Sequence, residues 1–259
     1  MNATASLPLS VVAAAAAAAT FSRSARASEP ELSAPIDVSE FLLLGIPNLP
    51  PRGKVEKIDR ELHERVLVMN KGFGWSRRAL DPEEWTAQEL PIVELGAALA
   101  TTVAALWQRG TFGVIPAAFG GKSLDDWMPG TELYKGAIER ARIAQKDGKL
   151  VGIFWLQGDT GEDPAKAAEY AKRFSAMITQ LRADLGIKYV PVIVGEVKLD
   201  ASGDALATPL AQVPQEVIPC MFVSSEGLRS GDTPGHLDSA ALWEYNDRFS
   251  YAWMDLYQP

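Results

Sequence analysis

The sequence is poor in the residue types that build disulfides and metal sites. Its 259 residues include one cysteine and two histidines. A single cysteine excludes an intrachain disulfide, and two histidines without a cysteine cluster argue against a zinc site. Cys220 stands in the apolar run Cys220–Val223, so we interpret it as a core residue rather than a reactive thiol. We therefore expect the protein to need no metal or other cofactor.

Positive charge is also scarce. The chain carries 25 Lys and Arg against 33 Asp and Glu, a formal net charge of −8, with no stripe of basic residues. A nucleic-acid partner is disfavoured, because phosphate binding needs clustered positive charge. The hydrophobic share of 47% is ordinary for a globular protein. We expect no membrane span in the mature chain, and the composition says nothing of its oligomeric state.

Residues 1–28 differ from the rest of the chain. Leu7–Phe21 is rich in alanine and uncharged, and Ala25-Arg26-Ala27 has the small-x-small form of a signal-peptidase site. This pattern predicts a secretory signal and a secreted or extracytoplasmic protein. The extreme N-terminus has no Lys or Arg, and no acidic residue precedes Glu29, which leaves an organellar transit peptide as the alternative. Residues 29–259 are then one domain, a length that suits an α/β fold.

Short apolar runs alternate with helical periodicities along residues 29–259. The predicted strands are Phe41–Leu44, Arg65–Asn70, Phe112–Pro116, Val151–Trp155, Val190–Gly195 and Cys220–Ser224. The predicted helices are Ile92–Trp107, Leu133–Asp147, Pro164–Leu185 and Asp238–Tyr257. This alternation predicts an α/β fold, a three-layer α/β/α sandwich with a mostly parallel sheet. The prolines of Lys198–Pro219 leave little room for a helix in that segment.

Four polar segments follow predicted strands, where open α/β sheets bind their ligands. They are G-I-P-N-L from Gly45, G-G-K-S-L-D-D-W from Gly120, W-L-Q-G-D from Trp155 and G-D-T-P-G-H-L-D from Gly231. Together they resemble the sialic-acid-specific acetylesterase and acetylxylan esterase branch of the SGNH hydrolases. That family carries G-Q-S-N-M, G-G-S/T-S, W-x-Q-G-E and D-x-x-H in the same order. The resemblance spans roughly residues 38–257 and implies an SGNH/flavodoxin-like sandwich.

One departure from the family pattern concerns the nucleophile. The position of the family's nucleophilic serine holds Pro47, preceded by Ile46 in place of a glutamine. The resemblance gives that serine two roles: its hydroxyl attacks the acetyl carbonyl and its backbone N–H helps to bind the oxyanion. Proline has neither a hydroxyl nor an N–H. We therefore predict no ordinary serine-esterase turnover.

The resemblance also assigns the donors that bind the oxyanion or the substrate. It gives the Gly121 N–H and the Gln157 side-chain amide to this task, and Asn48 is retained beside Pro47. Gly121 is equally expected in a tight strand-to-helix turn that needs the conformational freedom of glycine. Ser123 supplies a hydroxyl near the site, although as a turn or N-cap residue rather than a substitute nucleophile.

The general base implied by the resemblance is His236, which follows a turn and precedes a helix. Two acids are open as its orienting partner. Asp159 takes the place of a family glutamate and is one methylene shorter, whereas Asp232 lies four residues before His236 instead of three. The second histidine, His63, stands among charged residues and is expected to be an exposed loop residue, with a functional role beside the first polar segment as the alternative.

Two functions are open at this stage. The family implies hydrolysis of acetyl esters on sugars, with an acetylated carbohydrate as partner and His236 as base. Pro47 favours instead a pseudoenzyme that binds a glycan or another partner without turnover. Trp75 and Trp85, in a predicted loop, either line a sugar subsite or anchor that loop on the domain.

Overall fold

The protein is described by a computed structural model over residues 37–46, 62–77, 85, 90–117, 122–158, 164–197, 207–228 and 239–257. The strands are β1 Val38–Ile46, β2 Val66–Met69, β3 Trp75–Ser76, β4 Thr111–Pro116, β5 Gly148–Gly158, β6 Val192–Val197 and β7 Cys220–Val223. The helices are α1 Leu90–Leu106, α2 Glu132–Ala144, α3 Pro164–Ala167, α4 Tyr170–Asp184, α5 Ala207–Glu216 and α6 Ser239–Leu256, with a 3-10 helix at Leu124–Trp127. The predicted leader, residues 1–28, lies outside these ranges, so it stays a prediction together with the domain boundary that follows it.

The described strands form one seven-stranded sheet in the order β3-β2-β4-β1-β5-β6-β7. Every neighbouring pair is parallel except β2 with β3. β1 is central, with β4 on one side and β5 on the other. The mostly parallel α/β fold predicted from the alternating pattern is thereby confirmed.

Helices cover both faces of this sheet. On one face, α1 lies so close to β1 that a Cβ added to Gly96 would lie 2.1 Å from Leu43 Cδ1. On the same face, Trp253 of α6 packs edge-on against Phe41 with ring centroids 5.0 Å apart. On the other face, Phe174 of α4 packs against Trp155 at 5.1 Å. The core therefore lies in two layers, one on each side of β1 and β5.

The expectation that Lys198–Pro219 leaves little room for a helix is wrong, because α5 occupies Ala207–Glu216. Pro209 is the third residue of α5, and an N–H in the first turn has no partner within the helix in any case. Pro214 stands inside α5, close to its end, where few turns remain for it to disturb. Apolar packing explains why the segment is helical: Leu210 and Val213 are fully buried.

Two smaller differences concern element boundaries. The single helix predicted from Pro164 to Leu185 is two helices, α3 and α4, because Glu169 leaves helical geometry at φ −102° and ψ 0°. Trp75, predicted in a loop, belongs to the edge strand β3, which pairs antiparallel with β2. A strand of two residues is too short for a side-chain period to reveal it.

Gly45 fixes the way in which β1 reaches the candidate site. Its φ is +75°, and a Cβ at this position would lie 2.7 Å from the carbonyl oxygen of Leu156 on β5. A side chain is therefore excluded both by backbone conformation and by contact. The glycine holds the end of β1 directly against β5, one residue before Ile46.

The described ranges contain neither a membrane-spanning helix nor a cluster of metal ligands. Among these residues no helix is long and apolar enough to cross a membrane. Within the same ranges, no three His, Cys, Asp or Glu side chains are grouped so as to hold a metal ion.

Candidate functional site

The candidate site is the sheet edge at which β1, β4, β5 and β6 end, because parallel strands present their carboxyl ends together. The registers place Ile46 of β1 beside Gln157 of β5, and Gln157 beside Glu196 of β6. Pro47 is the next residue after Ile46 in the chain. The first and third polar segments therefore leave neighbouring strands, and the second leaves β4, the other neighbour of β1.

Two of the predicted site residues, Ser123 and Gln157, lie within the described ranges. The others lie outside them, and their roles stay predictions: Pro47, Asn48, Gly121, Asp159, Asp232 and His236.

A hydrogen-bonded relay fixes the amide of Gln157. The side chain is 1% exposed, and the Tyr170 hydroxyl donates a hydrogen bond to its Oε1. The same hydroxyl accepts from Trp155 Nε1 at 3.0 Å. The hydroxyl donates its one proton to Oε1, so the oxygen of the amide is the acceptor that faces Tyr170. The amide nitrogen is then the donor end of the side chain. The relay holds an amide donor at the carboxyl end of β5.

An aromatic layer supports this relay from below. The Trp127 ring meets Trp155 edge-on at 5.7 Å, and Tyr170 stacks on Phe174 at 6.2 Å. Trp127, Trp155, Tyr170 and Phe174 are all at most 1% exposed. Such packing leaves the Tyr170 ring few alternative rotamers, so the position of Gln157 is determined by the core.

Ser123 caps the 3-10 helix that begins at Leu124. Its backbone N–H and its hydroxyl both donate to the Asp126 carboxylate, at 2.9 and 3.1 Å. Asp125 in the same helix forms ion pairs with Lys166 and Arg173, and the hydrogen bond from Lys166 is the main cause that lowers the pKa of Asp125. These contacts tie the segment that follows β4 to α3 and α4. The Ser123 hydroxyl is thus engaged by the Asp126 carboxylate.

We expect Tyr170→Phe to destabilise the fold by roughly 3 kcal/mol, because it removes the two buried hydrogen bonds that the hydroxyl makes with Gln157 Oε1 and Trp155 Nε1. Tyr134→Phe is the matched control. It removes a single hydroxyl contact, 2.6 Å to Asp184 Oδ2, and is expected to cost about 1 kcal/mol. Urea unfolding at constant pH measures both. Equal losses in the two variants would contradict the relay.

Sequence reasoning missed one polar residue at this edge, Glu196. It is 4% exposed, and its Oε1 accepts a hydrogen bond of 2.9 Å from Ser224 Oγ. Its backbone carbonyl accepts from the buried Tyr245 hydroxyl, whose pKa is raised by burial. The available signal was a lone charge at the end of a β-branched strand, Val192–Val197, where a polar residue in an apolar run marks a strand terminus.

His63 and Trp75 do not belong to this edge. His63 precedes β2, and its Nδ1 accepts from the Arg65 backbone N–H at 3.1 Å. It is half-buried, so the expectation of an exposed loop residue is wrong. Trp75 Nε1 donates to Asp147 Oδ2 at 3.0 Å. Asp147 directly precedes β5, so this contact lies at the opposite edge of the sheet. This contact fits the anchoring interpretation of Trp75 rather than a sugar subsite.

Cys220 also stands at the opposite edge, as the first residue of β7. Burial raises the pKa of its thiol to about 12, so the thiolate is scarcely populated at neutral pH. The side chain is partly buried against the core.

A parallel sheet covered by helices on both faces, with polar groups at the carboxyl ends of its central strands, defines a three-layer α/β protein with its ligand edge at those ends. Similar folds occur in a protein from Arabidopsis thaliana (18% identity, TM-score 0.67, 85% of this chain and 99% of that one) and in a carbohydrate acetylesterase from Xanthomonas citri (18%, 0.63, 84% and 56%). NanS is also similar, at 16% identity and a TM-score of 0.61, over 85% of this chain and 98% of its own.

A model of the carbohydrate esterase family described as sialic acid-specific acetylesterase matches residues 37–255. The chain therefore belongs to this family, and the resemblance drawn from the four polar segments is confirmed.

Proposed function

We propose that the protein binds acetylated carbohydrate at the carboxyl edge of its sheet and hydrolyses acetyl esters far more slowly than a serine esterase. Family membership supports the substrate class. The observation that carries the proposal is the fixed Gln157 amide at the end of β5, beside the strand that leads into Pro47. The scaffold of an acyl-binding site is kept, while the alcohol that would attack the ester is missing.

The slow reaction would use water in place of the serine. His236 would take a proton from a water molecule, whose oxygen would attack the acetyl carbonyl. The amide of Gln157 and the N–H of Gly121 would bind the oxyanion that forms. Collapse of that intermediate would release acetate, with the proton returned from His236 to the sugar oxygen. Asp159 or Asp232 would orient His236.

The expected rate follows from what Pro47 removes. Loss of a serine nucleophile costs on the order of 10⁶ in turnover in a studied protease, and loss of one oxyanion donor about 10²–10³. These effects are not additive, but each is large. A second function, glycan binding without any turnover, is favoured by the same residue, and by Ile46, which makes the segment more apolar.

Hydrolysis and binding by the native chain test the proposal. Release of nitrophenol from 4-nitrophenyl acetate and of acetate from acetylated xylan measures hydrolysis. Affinity electrophoresis in gels that contain acetylated xylan measures binding. We expect measurable binding and a slow hydrolysis that His236→Ala abolishes. His63→Gln is the control, because His63 lies at the opposite edge of the sheet.

The outcomes separate the two functions. Retarded migration with no hydrolysis in the native chain would establish the glycan-binding function. Hydrolysis at the rate of an ordinary serine esterase would refute the assignment of Pro47 as disabling. Absence of both binding and hydrolysis would refute both functions.

A further inference from the structure

We propose that Glu196 determines which sugars the site accepts. Its Oε2 accepts a hydrogen bond from a hydroxyl of a neutral acetylated sugar, and its negative charge disfavours anionic sugars such as O-acetylated sialic acid. This inference rests on the proposed function, since it requires that sugar binds at the carboxyl edge of the sheet.

The position of Glu196 follows from the strand register. Glu196 of β6 is the direct partner of Gln157 of β5. Neighbouring strands lie about 4.8 Å apart, and residues in register point to the same face of a sheet. Gly195 faces Phe249 and Tyr245 of α6, so Glu196, the next residue, points to the opposite face, with Gln157. A ligand group that contacts the Gln157 amide is therefore within reach of the Glu196 carboxylate.

The two oxygens of this carboxylate have different surroundings. Ser224 Oγ donates to Oε1 at 2.9 Å, and the Glu226 backbone N–H donates to the same Ser224 Oγ at 3.1 Å, which fixes the serine. Oε2 is buried, and none of the described residues donates a hydrogen bond to it. Burying a carboxylate oxygen without a hydrogen-bond donor costs free energy, because the oxygen loses its hydrogen bonds to water and none replaces them. A donor from a bound ligand removes that cost.

The chemistry of the group selects the donor. A carboxylate accepts hydrogen bonds only, whereas a sugar hydroxyl donates one. In the described part of the chain, no Lys, Arg or His forms an ion pair with Glu196. Among the described residues the nearby cation is Arg248, which donates to the backbone carbonyl of Ser224 at 2.8 Å and does not pair with the Glu196 carboxylate, in a chain of formal net charge −8. A second carboxylate, such as that of sialic acid, would be repelled at short range in a partly dehydrated site.

The test compares two sugars of opposite type. Titration calorimetry or ligand-observed NMR measures binding of an acetylated xylo-oligosaccharide and of 9-O-acetylated sialic acid to the native chain, Glu196→Gln and Glu226→Gln. We expect the native chain to prefer the neutral sugar. Glu196→Gln should weaken that binding about 10-fold and strengthen binding of the sialic acid several-fold. Glu226→Gln removes an exposed charge from the same turn and should change neither by more than about 2-fold.

A second variant keeps the inference testable if Glu196→Gln does not fold. Ser224→Ala removes the hydrogen bond that orients the carboxylate and should weaken binding of the neutral sugar by a smaller factor. Two results would overturn this inference and leave the proposed function standing. One is a folded Glu196→Gln variant that binds both sugars as tightly as the native chain does, and the other is a native chain that prefers sialic acid. Failure of the native chain to bind either sugar would overturn both.

Discussion

Pro47→Ser is expected to raise the rate of acetyl ester hydrolysis by at least about 100-fold over the native chain. The substitution restores a hydroxyl for attack and a backbone N–H for the oxyanion, and each of these alone is worth about two orders of magnitude or more. Initial rates on 4-nitrophenyl acetate and acetylated xylan measure the gain. A serine-directed phosphonate should label the variant and not the native chain.

Pro47→Ala separates the two restored groups. It returns the N–H without the hydroxyl, so it should recover a small part of the activity and no labelling by the phosphonate. Adding His236→Ala to Pro47→Ser should return the rate to background. If Pro47→Ser is folded and remains as slow as Pro47→Ala, the missing alcohol is not what limits this site.

The second large effect concerns Glu40, a buried acid on β1 far from the carboxyl edge. It is 0% exposed, and neither of its carboxyl oxygens has a hydrogen-bond partner among the described residues. Burial first, and then the nearby charge of Asp147, raise the pKa of Glu40 to about 8. At neutral pH the folded chain therefore holds Glu40 protonated, while the unfolded chain ionises it.

The free energy of unfolding should consequently fall as pH rises from about 4.5 to about 8. Below this window both states bind the proton, and above it neither does, so the contribution of Glu40 is flat on either side. Since one pKa unit corresponds to about 1.4 kcal/mol, the loss of unfolding free energy across these 3.5 units is on the order of 5 kcal/mol. Glu40→Gln should abolish this decline and be the more stable protein at pH 9. Urea unfolding between pH 4 and pH 9 measures it.

Asp147→Asn is the matched control for Glu40. The asparagine keeps an oxygen that accepts from Trp75 Nε1 but removes the charge that raises the pKa of Glu40. The free energy of unfolding of Asp147→Asn should still fall as pH rises from about 4.5. The fall should end at a lower pH than in the native chain, because the pKa of Glu40 is raised less. The native slope persisting in Glu40→Gln would show that another group causes the decline.

Much of the fold was predictable because buried strands are recognisable in the sequence as short apolar runs. Phe41–Leu44 identified β1 correctly, yet the strand extends over Val38–Ile46 and includes Glu40. A charged residue in a strand interior cannot be inferred from polarity, because its burial depends on which helices and strands close over it. The same limit applies to α5, whose prolines argued against a helix that tertiary packing of Leu210 and Val213 stabilises.

The site was predictable in its sequence motifs and not in its supporting contacts. The W-L-Q-G-D segment identified Gln157, but the Tyr170 hydroxyl that orients the amide lies 13 residues away, on α4. Glu196 escaped notice because its significance depends on being in register with Gln157 across two strands. Pairings of this kind are set by strand order, which a single sequence does not contain.

The buried residues of β1 and the position of the family's nucleophile are neighbours in the chain but do not overlap. Phe41, Leu42, Leu43 and Leu44 are at most 4% exposed, while the serine position of the family comes after the last residue of the strand. Replacing that serine alters no side chain of the buried strand. On the proposed function, a substitution at residue 47 would therefore remove chemistry without changing the buried side chains of β1, so selection for a stable fold alone would not act against it.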